Sequence, residues 1–178
     1  VNDTWDFPYI AHALDEVLSQ YDMYDVYLLG YSMGGRVALY YALNGSVALR
    51  GLLLESTSAG IQSEADKVER VQVDAARAKV LEIAGLEIFV NDWEKLPLFR
   101  SQYELDAEVR KAIRANRMSQ NPVRLAKALR DYGTGNMPNL WPHVSSLSVR
   151  TLILTGEKDE KFVQIGQKLK EEIPNSHT

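Results

Sequence analysis

The sequence contains no cysteine. That excludes disulfide staples and thiolate metal sites, so packing alone must hold the fold together. It contains no apolar run near the roughly 20 residues that a helix needs to cross a bilayer. It also lacks surplus positive charge: 20 Lys and Arg stand against 24 Asp and Glu, a formal net charge of −4. A chain that neutralises nucleic-acid phosphates needs the opposite balance. The start, Val1-Asn2-Asp3-Thr4-Trp5, has neither the charged head nor the apolar core of a signal peptide. An initiator methionine is missing too, which points to a chain that begins inside a longer natural sequence. These absences predict a cytoplasmic protein with no membrane or nucleic-acid partner, acting as a monomer or homo-oligomer. No metal and no cofactor are expected.

What is present is globular. At 178 residues, with 46% hydrophobic and 25% charged residues, the chain can build one ordinary domain around a real core. Ile10, Ala13, Leu14, Val17, Leu18 and Tyr21 recur at helical spacing and predict a helix from about Pro8 to Tyr21. Asp25–Leu29 is a short apolar run closed by Gly30, the pattern of a buried parallel strand. A helix from about Gly34 to Leu43 follows and stops at Asn44-Gly45. Gly51–Leu54 reads as a second buried strand. Helix and strand in alternation imply right-handed crossovers and a parallel sheet.

The middle of the chain has helical periodicity and almost no strand signal. Ser63 is placed to cap one helix and Asn121-Pro122 to start another, which Gly133 and Gly135 end. This stretch carries eight arginines, at positions 70, 77, 100, 110, 114, 117, 124 and 130. Most should be a solvated helix face, with two or three free to meet a ligand. Val149–Thr155 then reads as a third buried strand. A last helix presents Phe162, Ile165, Leu169 and Ile173 on one face. The expected organisation is a core segment over 1–59, a helical lid over 60–148, and a core strand with its loop and helix over 149–178.

The chemistry-bearing motif is Gly30-Tyr31-Ser32-Met33-Gly34-Gly35, directly after one strand and before a helix. That context gives the G-x-S-x-G pattern its meaning: a tight turn lifts the serine hydroxyl clear of the sheet. The helix N-terminus beneath favours developing negative charge. The backbone N–H of Met33 is placed to form half of an oxyanion hole. Asp159, after the third strand, is the candidate acid that orients an imidazole. Its competing role is as a plain cap for the next helix. None of His12, His143 and His177 falls where the third member belongs. His12 and His143 read as surface or helix-packing residues, and His177 as part of a frayed end.

Further segments carry a resemblance. Gly30–Leu39, Leu53–Ser58, Trp93–Phe99, Asn121-Pro122, Gly133-Thr134-Gly135 with Pro138, Leu140-Trp141, and Gly156–Phe162 together resemble the α/β-hydrolase-fold lyases of menaquinone synthesis. These are the 2-succinyl-6-hydroxy-2,4-cyclohexadiene-1-carboxylate synthases. The resemblance implies an α/β-hydrolase fold, a parallel sheet with a helical lid. The N-terminal strands and the final strand with its histidine loop would lie outside this chain. It implies elimination of pyruvate from a small polyanionic substrate, with Ser32 as base and Asp159 as orienting acid. Arg36, Arg70, Arg114 and Lys161 would hold carboxylates, and Tyr31 and Trp93 would line the pocket. A lone tryptophan followed by Leu96, Leu98 and Phe99 reads equally well as a packing anchor. Without the triad histidine the chain by itself is expected to be inactive. An ester or carbon–carbon hydrolase on the same fold, and a non-catalytic fragment, are the alternatives.

Overall fold

The computed structural model describes residues 3–23 and 25–178; the reading of Val1 and Asn2 lies outside them. Helix α1 spans Phe7–Gln20, opened by Asp6, whose carboxylate accepts the Tyr9 N–H at 2.9 Å. Strand β1 (Val26–Tyr31), helix α2 (Met33–Asn44) and strand β2 (Leu49–Glu55) follow. The helical stretch comes next: α3 (Glu64–Ile83), α4 (Gly85–Trp93), a 3-10 segment (Pro97–Glu104), α5 (Ala107–Met118) and α6 (Pro122–Tyr132). Ser63 and Asn121 cap α3 and α6 through the N–H groups of Asp66 and Arg124. Two 3-10 turns, Thr134–Asn136 and Trp141–Ser146, lead to β3 (Thr151–Leu154), α7 (Glu160–Glu172) and β4 (Ser176–His177).

The four strands are parallel, in the order β1-β2-β3-β4. The register sets Tyr31 beside Glu55 and Glu55 beside Leu154. The C-terminal ends of three strands are therefore level, and the loops leaving them meet at one end of the sheet. That is where open parallel sheets place ligands.

Leu39, Leu52, Leu54, Ile153, Leu169 and Phe7 form the centre of the core. They come from α1, α2, α7 and the intervening strands, so these helices cover a single face of the sheet. The opposite face is open: Tyr27, Leu29 and Tyr31 of β1 and Leu152 and Leu154 of β3 are exposed. This corrects the expectation of buried strands for β1 and β3, whereas Gly51–Leu54 of β2 is buried or half-buried. The aliphatic runs could serve two covered faces, but no element among the described residues packs on the second. A further difference is His177. It does not fray; it pairs with Leu152 as the second residue of β4.

Tyr41 ties α1, α2 and the approach to β2 together. Its buried hydroxyl donates to Asp15 at 2.5 Å and accepts the Val47 N–H at 3.3 Å. Asp15 also accepts from the Ser46 N–H and hydroxyl, at 3.0 and 2.7 Å. Burial, then the bond to Asp15, pushes the Tyr41 phenol up to about 12. Burial also works to raise Asp15, but its bonds to Tyr41 and Ser46 outweigh that and hold it below the ordinary carboxylate value. The unfolded phenol ionises near 10, so folding favours its neutral form. That contribution is complete below about pH 10 and is lost as pH rises toward about 12. Tyr41→Phe should cost about 1–3 kcal/mol at pH 7. It should also flatten the fall in stability between about pH 10 and 12, read from urea unfolding across that range.

Candidate active site

A single residue, Ser32, separates β1 from α2. Its backbone sits at φ 51° and ψ −113°, a conformation that costs a non-glycine residue about 1–3 kcal/mol. The neighbouring glycines make the turn possible. A Cβ on Gly30 would lie 2.4 Å from the Gly34 carbonyl oxygen, and one on Gly35 would lie 2.5 Å from the Thr57 Cβ. Three bonds then hold the strained residue. Its N–H donates to the Glu55 carbonyl at 2.9 Å, the Thr57 hydroxyl donates to its carbonyl at 2.8 Å, and the Arg36 N–H donates to the same carbonyl at 3.2 Å. The Ser32 hydroxyl does not cap the helix that follows.

Ser32 faces a cleft of about 640 Å³, whose lining includes Tyr31, Glu55, Arg100, Lys158 and Asp159. The serine turn and the Asp159 loop thus share one cavity at the end of the sheet. Asp159 also performs its competing role, because its Oδ1 accepts the Phe162 N–H at 3.2 Å and caps α7. Lys158 pairs with Glu104 at 2.9 Å, joining the acid loop to the Pro97–Glu104 segment. No histidine lines this cleft. His12 is exposed beside Glu16 at 3.5 Å, and His143 and His177 are exposed elsewhere.

Met33 opens α2, so its N–H has no partner within the helix. It lines a separate apolar groove of about 500 Å³ together with Trp5, Tyr9 and Tyr132. Arg36, one turn beyond Ser32, is buried with 8% of its surface exposed, and its Nε has no hydrogen-bond partner. Burial, then the nearby Arg70, lowers its pKa to about 10; Asp74 and Tyr132 act in the opposite direction. Arg70 donates through Nε to both oxygens of Asp74, at 3.1 and 3.0 Å.

The other carried-over residues lie further from Ser32. Arg114 donates to Glu94 and Asn91, each at 2.7 Å. It lines a neighbouring cavity of about 320 Å³ that shares Phe99 and Gln102 with the cleft. Trp93 stands behind Phe99, with ring centroids 5.7 Å apart, and stacks on Phe89 at 5.6 Å. It is thus a packing anchor for the cleft wall. Lys161 is exposed and does not line the cleft, where Lys158 does. Asp159 caps α7, and the second residue of that helix is turned away from the cavity. Thr57, Arg100, Lys158 and Asp74 were not singled out by motif. Only Asp74 had a readable signal, an acid at helical spacing from both Arg70 and Arg77.

The family described as serine aminopeptidase, S33 matches residues 9–176. The chain belongs to this family. It has the α/β-hydrolase fold. It is 32% identical over 168 residues to the 2-succinyl-6-hydroxy-2,4-cyclohexadiene-1-carboxylate synthase of Yersinia enterocolitica, covering 94% of this chain and 60% of that protein. It is 39% identical over 163 residues to a Bacillus subtilis protein that carries the same name provisionally, covering 92% and 60%. Among solved structures, MenH from S. aureus superposes with a TM-score of 0.97 at 60% identity, over 99% of this chain and 66% of that one. The chain therefore spans about three-fifths of the length of the curated relatives it matches.

The close approach at the serine turn of this S33-family chain is open to test. Gly30→Ala forces a Cβ onto backbone atoms that cannot move aside. It should cost about 1–3 kcal/mol by overpacking. A denaturation midpoint equal to that of the parent chain would contradict the geometry.

Proposed function

We propose that this chain is the serine-turn, acid-loop and lid portion of a 2-succinyl-6-hydroxy-2,4-cyclohexadiene-1-carboxylate synthase. The substrate is 2-succinyl-5-enolpyruvyl-6-hydroxy-3-cyclohexene-1-carboxylate. Loss of the C2 proton forms the C2–C3 double bond, shifts the ring double bond to C4–C5 and expels the enolpyruvyl oxygen from C5. The released enolpyruvate becomes pyruvate. In this reading Ser32 removes the proton, passing its own to an imidazole that Asp159 orients. None of the three histidines on the chain serves as that imidazole. The C2 proton is acidified by the adjacent succinyl ketone, whose oxygen gathers negative charge. The Met33 N–H, at the free end of α2, is assigned to that oxygen. Tyr31 flanks the serine, and the segment over 60–148 acts as the lid.

The observation that carries the lyase reading over a hydrolase reading is Arg36: a buried guanidinium with an unmet Nε, one turn from Ser32. A neutral ester has no use for such a group. A substrate with several carboxylates supplies the missing acceptor, and arginine's planar fork suits a carboxylate. The 60% identity to the MenH structure from S. aureus supports the same choice. Arg70 lies close enough to share the charge. Arg114, Lys161 and Trp93 enter as supporting residues on resemblance alone. The ligand is thus a small, water-soluble polyanion, handled in the cytoplasm without nucleic acid or membrane.

The hydrolase alternative rests on the serine turn itself. A Thermogutta terrifontis esterase superposes with a TM-score of 0.82 at 25% identity, over 99% of this chain and 64% of that one. Pyruvate release from the polyanionic substrate by the complete gene product separates the two. Arg36→Met should cut that release roughly 100-fold, the scale of losing one partner of a buried charge pair. Turnover of a neutral p-nitrophenyl ester should fall far less. Ester turnover with no pyruvate release by the unsubstituted protein would overturn the lyase reading.

A further inference from the structure

Asp74 is the one carboxylate fully enclosed in the helical stretch, with 2% of its surface exposed. It sits on α3 and accepts from Arg70 through Nε and from Arg77 through Nη1 at 3.3 Å. Both partners belong to its own helix, four residues before and three after. The hydrogen bonds of Asp74 therefore fasten no second element to α3, although burying a carboxylate is costly. The surrounding chain nonetheless makes room for it. A Cβ on Gly133, just beyond α6, would lie 2.6 Å from the Asp74 Oδ2. A side chain enclosed at a cost, and bonded only within one helix, has orientation of its partners as its main effect.

The partner that matters is Arg70. It meets Asp74 through Nε on the side of its guanidinium, and its two terminal nitrogens make no hydrogen bond among the described residues. Arg36, buried and with an unmet Nε, is near enough for the two cations to disfavour each other. Two guanidiniums with unspent donors, one of them buried, are suited to an anion. Arg77 points elsewhere and lies 5.3 Å over the Trp93 ring.

We infer that Asp74 is a positioning residue: it fixes the Arg70 guanidinium beside Arg36 so that the pair can receive a substrate carboxylate. This rests on the proposed function for the identity of the ligand, but not for the arrangement of the pair. The inference runs against simple electrostatics. Removing a negative charge beside an anion site should tighten binding by Coulomb's law alone. Removing a positioning group should weaken it. Partners that orient site groups are worth roughly 10- to 100-fold where they have been measured, at metal ligands.

The test is calorimetric binding of two stable dicarboxylates, 2-succinylbenzoate and phthalate, to the complete gene product. The first is the aromatic form of the proposed product after loss of water. Asp74→Asn should weaken both roughly ten-fold. The variant should still fold, because the Arg70 and Arg77 side chains are 34% and 29% exposed and water can take over their hydration. Asp74→Glu keeps the charge, displaces the carboxylate toward Gly133, and should also weaken binding. Arg77→Gln should leave it unchanged. Unaltered or tighter binding by Asp74→Asn, parent-like binding by Asp74→Glu, or an equal loss in Arg77→Gln would each overturn the inference. If the unsubstituted protein binds phthalate but not 2-succinylbenzoate, the proposed substrate falls and the phthalate series still decides the role of Asp74. If it binds neither, both fall.

Discussion

The close passage of two backbones at Gly30 and Gly34 is the constraint on which the rest of the structure depends. Only with no side chain at residue 30 can β1 reverse into α2 through one residue. That residue, Ser32, then adopts a positive φ that its neighbours must enforce. The bonds from Thr57 and to Glu55 come from the end of β2. The serine turn is therefore secured by the adjacent strand as much as by its own sequence. Because the sheet register keeps the ends of β1, β2 and β3 level, the same end of the sheet also receives the acid loop. A one-residue slip would turn the pleat over and send these groups to opposite faces.

The helical stretch is organised by a different rule. It is rich in arginine, yet most of its arginines are already committed within the protein. Arg70 and Arg77 share Asp74, Arg114 and Arg117 share Glu94, and Arg130 pairs with Glu82. Arg117 and Arg77 also lie over the rings of Phe99 and Trp93. The positive charge of the helical stretch is thus partly structural, pinned by acids of which Asp74 is buried and Glu94 half-buried. A count of arginines overstates what remains for a ligand, and geometry rather than number decides which cations are available.

Much of this was legible in the sequence because its signals were local. The strand–turn–helix around Ser32, the caps at Ser63 and Asn121, and the helical stretch between two strands all follow from neighbours along the chain. The loop that carries Asp159 was legible too, although not that Asp159 would be a helix cap and a cleft residue at once. What failed depended on three-dimensional surroundings. The strands were expected to be buried; Leu-Leu-Leu of β2 is buried or half-buried, but Val-Tyr-Leu-Leu of β1 and Thr-Leu-Ile-Leu of β3 have no polar face to betray that alternate residues are exposed. Only the placement of α1, α2 and α7 on one side reveals that Tyr27, Leu29 and Leu152 lie on the other. His177 was read as fraying because strand pairing is a long-range event that two residues cannot announce. The Thr57 hydroxyl is invisible as a site feature until β2 is laid beside β1.

Arg36 joins the two halves of the argument. Even with its pKa lowered to about 10, it stays protonated at neutral pH, with roughly one molecule in a thousand neutral. The protein therefore keeps a cation away from water and leaves one of its donors unmet. Such a group destabilises the unliganded state unless something else offsets it, and Asp74 does so only in part, from the neighbouring helix. Arrival of an anion would remove the deficit with little further desolvation cost, since the guanidinium is already out of water. A serine turn alone cannot distinguish an ester from a polyanion, because both present a carbonyl. In the proposed reading an unsatisfied buried guanidinium one helical turn away distinguishes them, because it rewards only the ligand that brings negative charge with it.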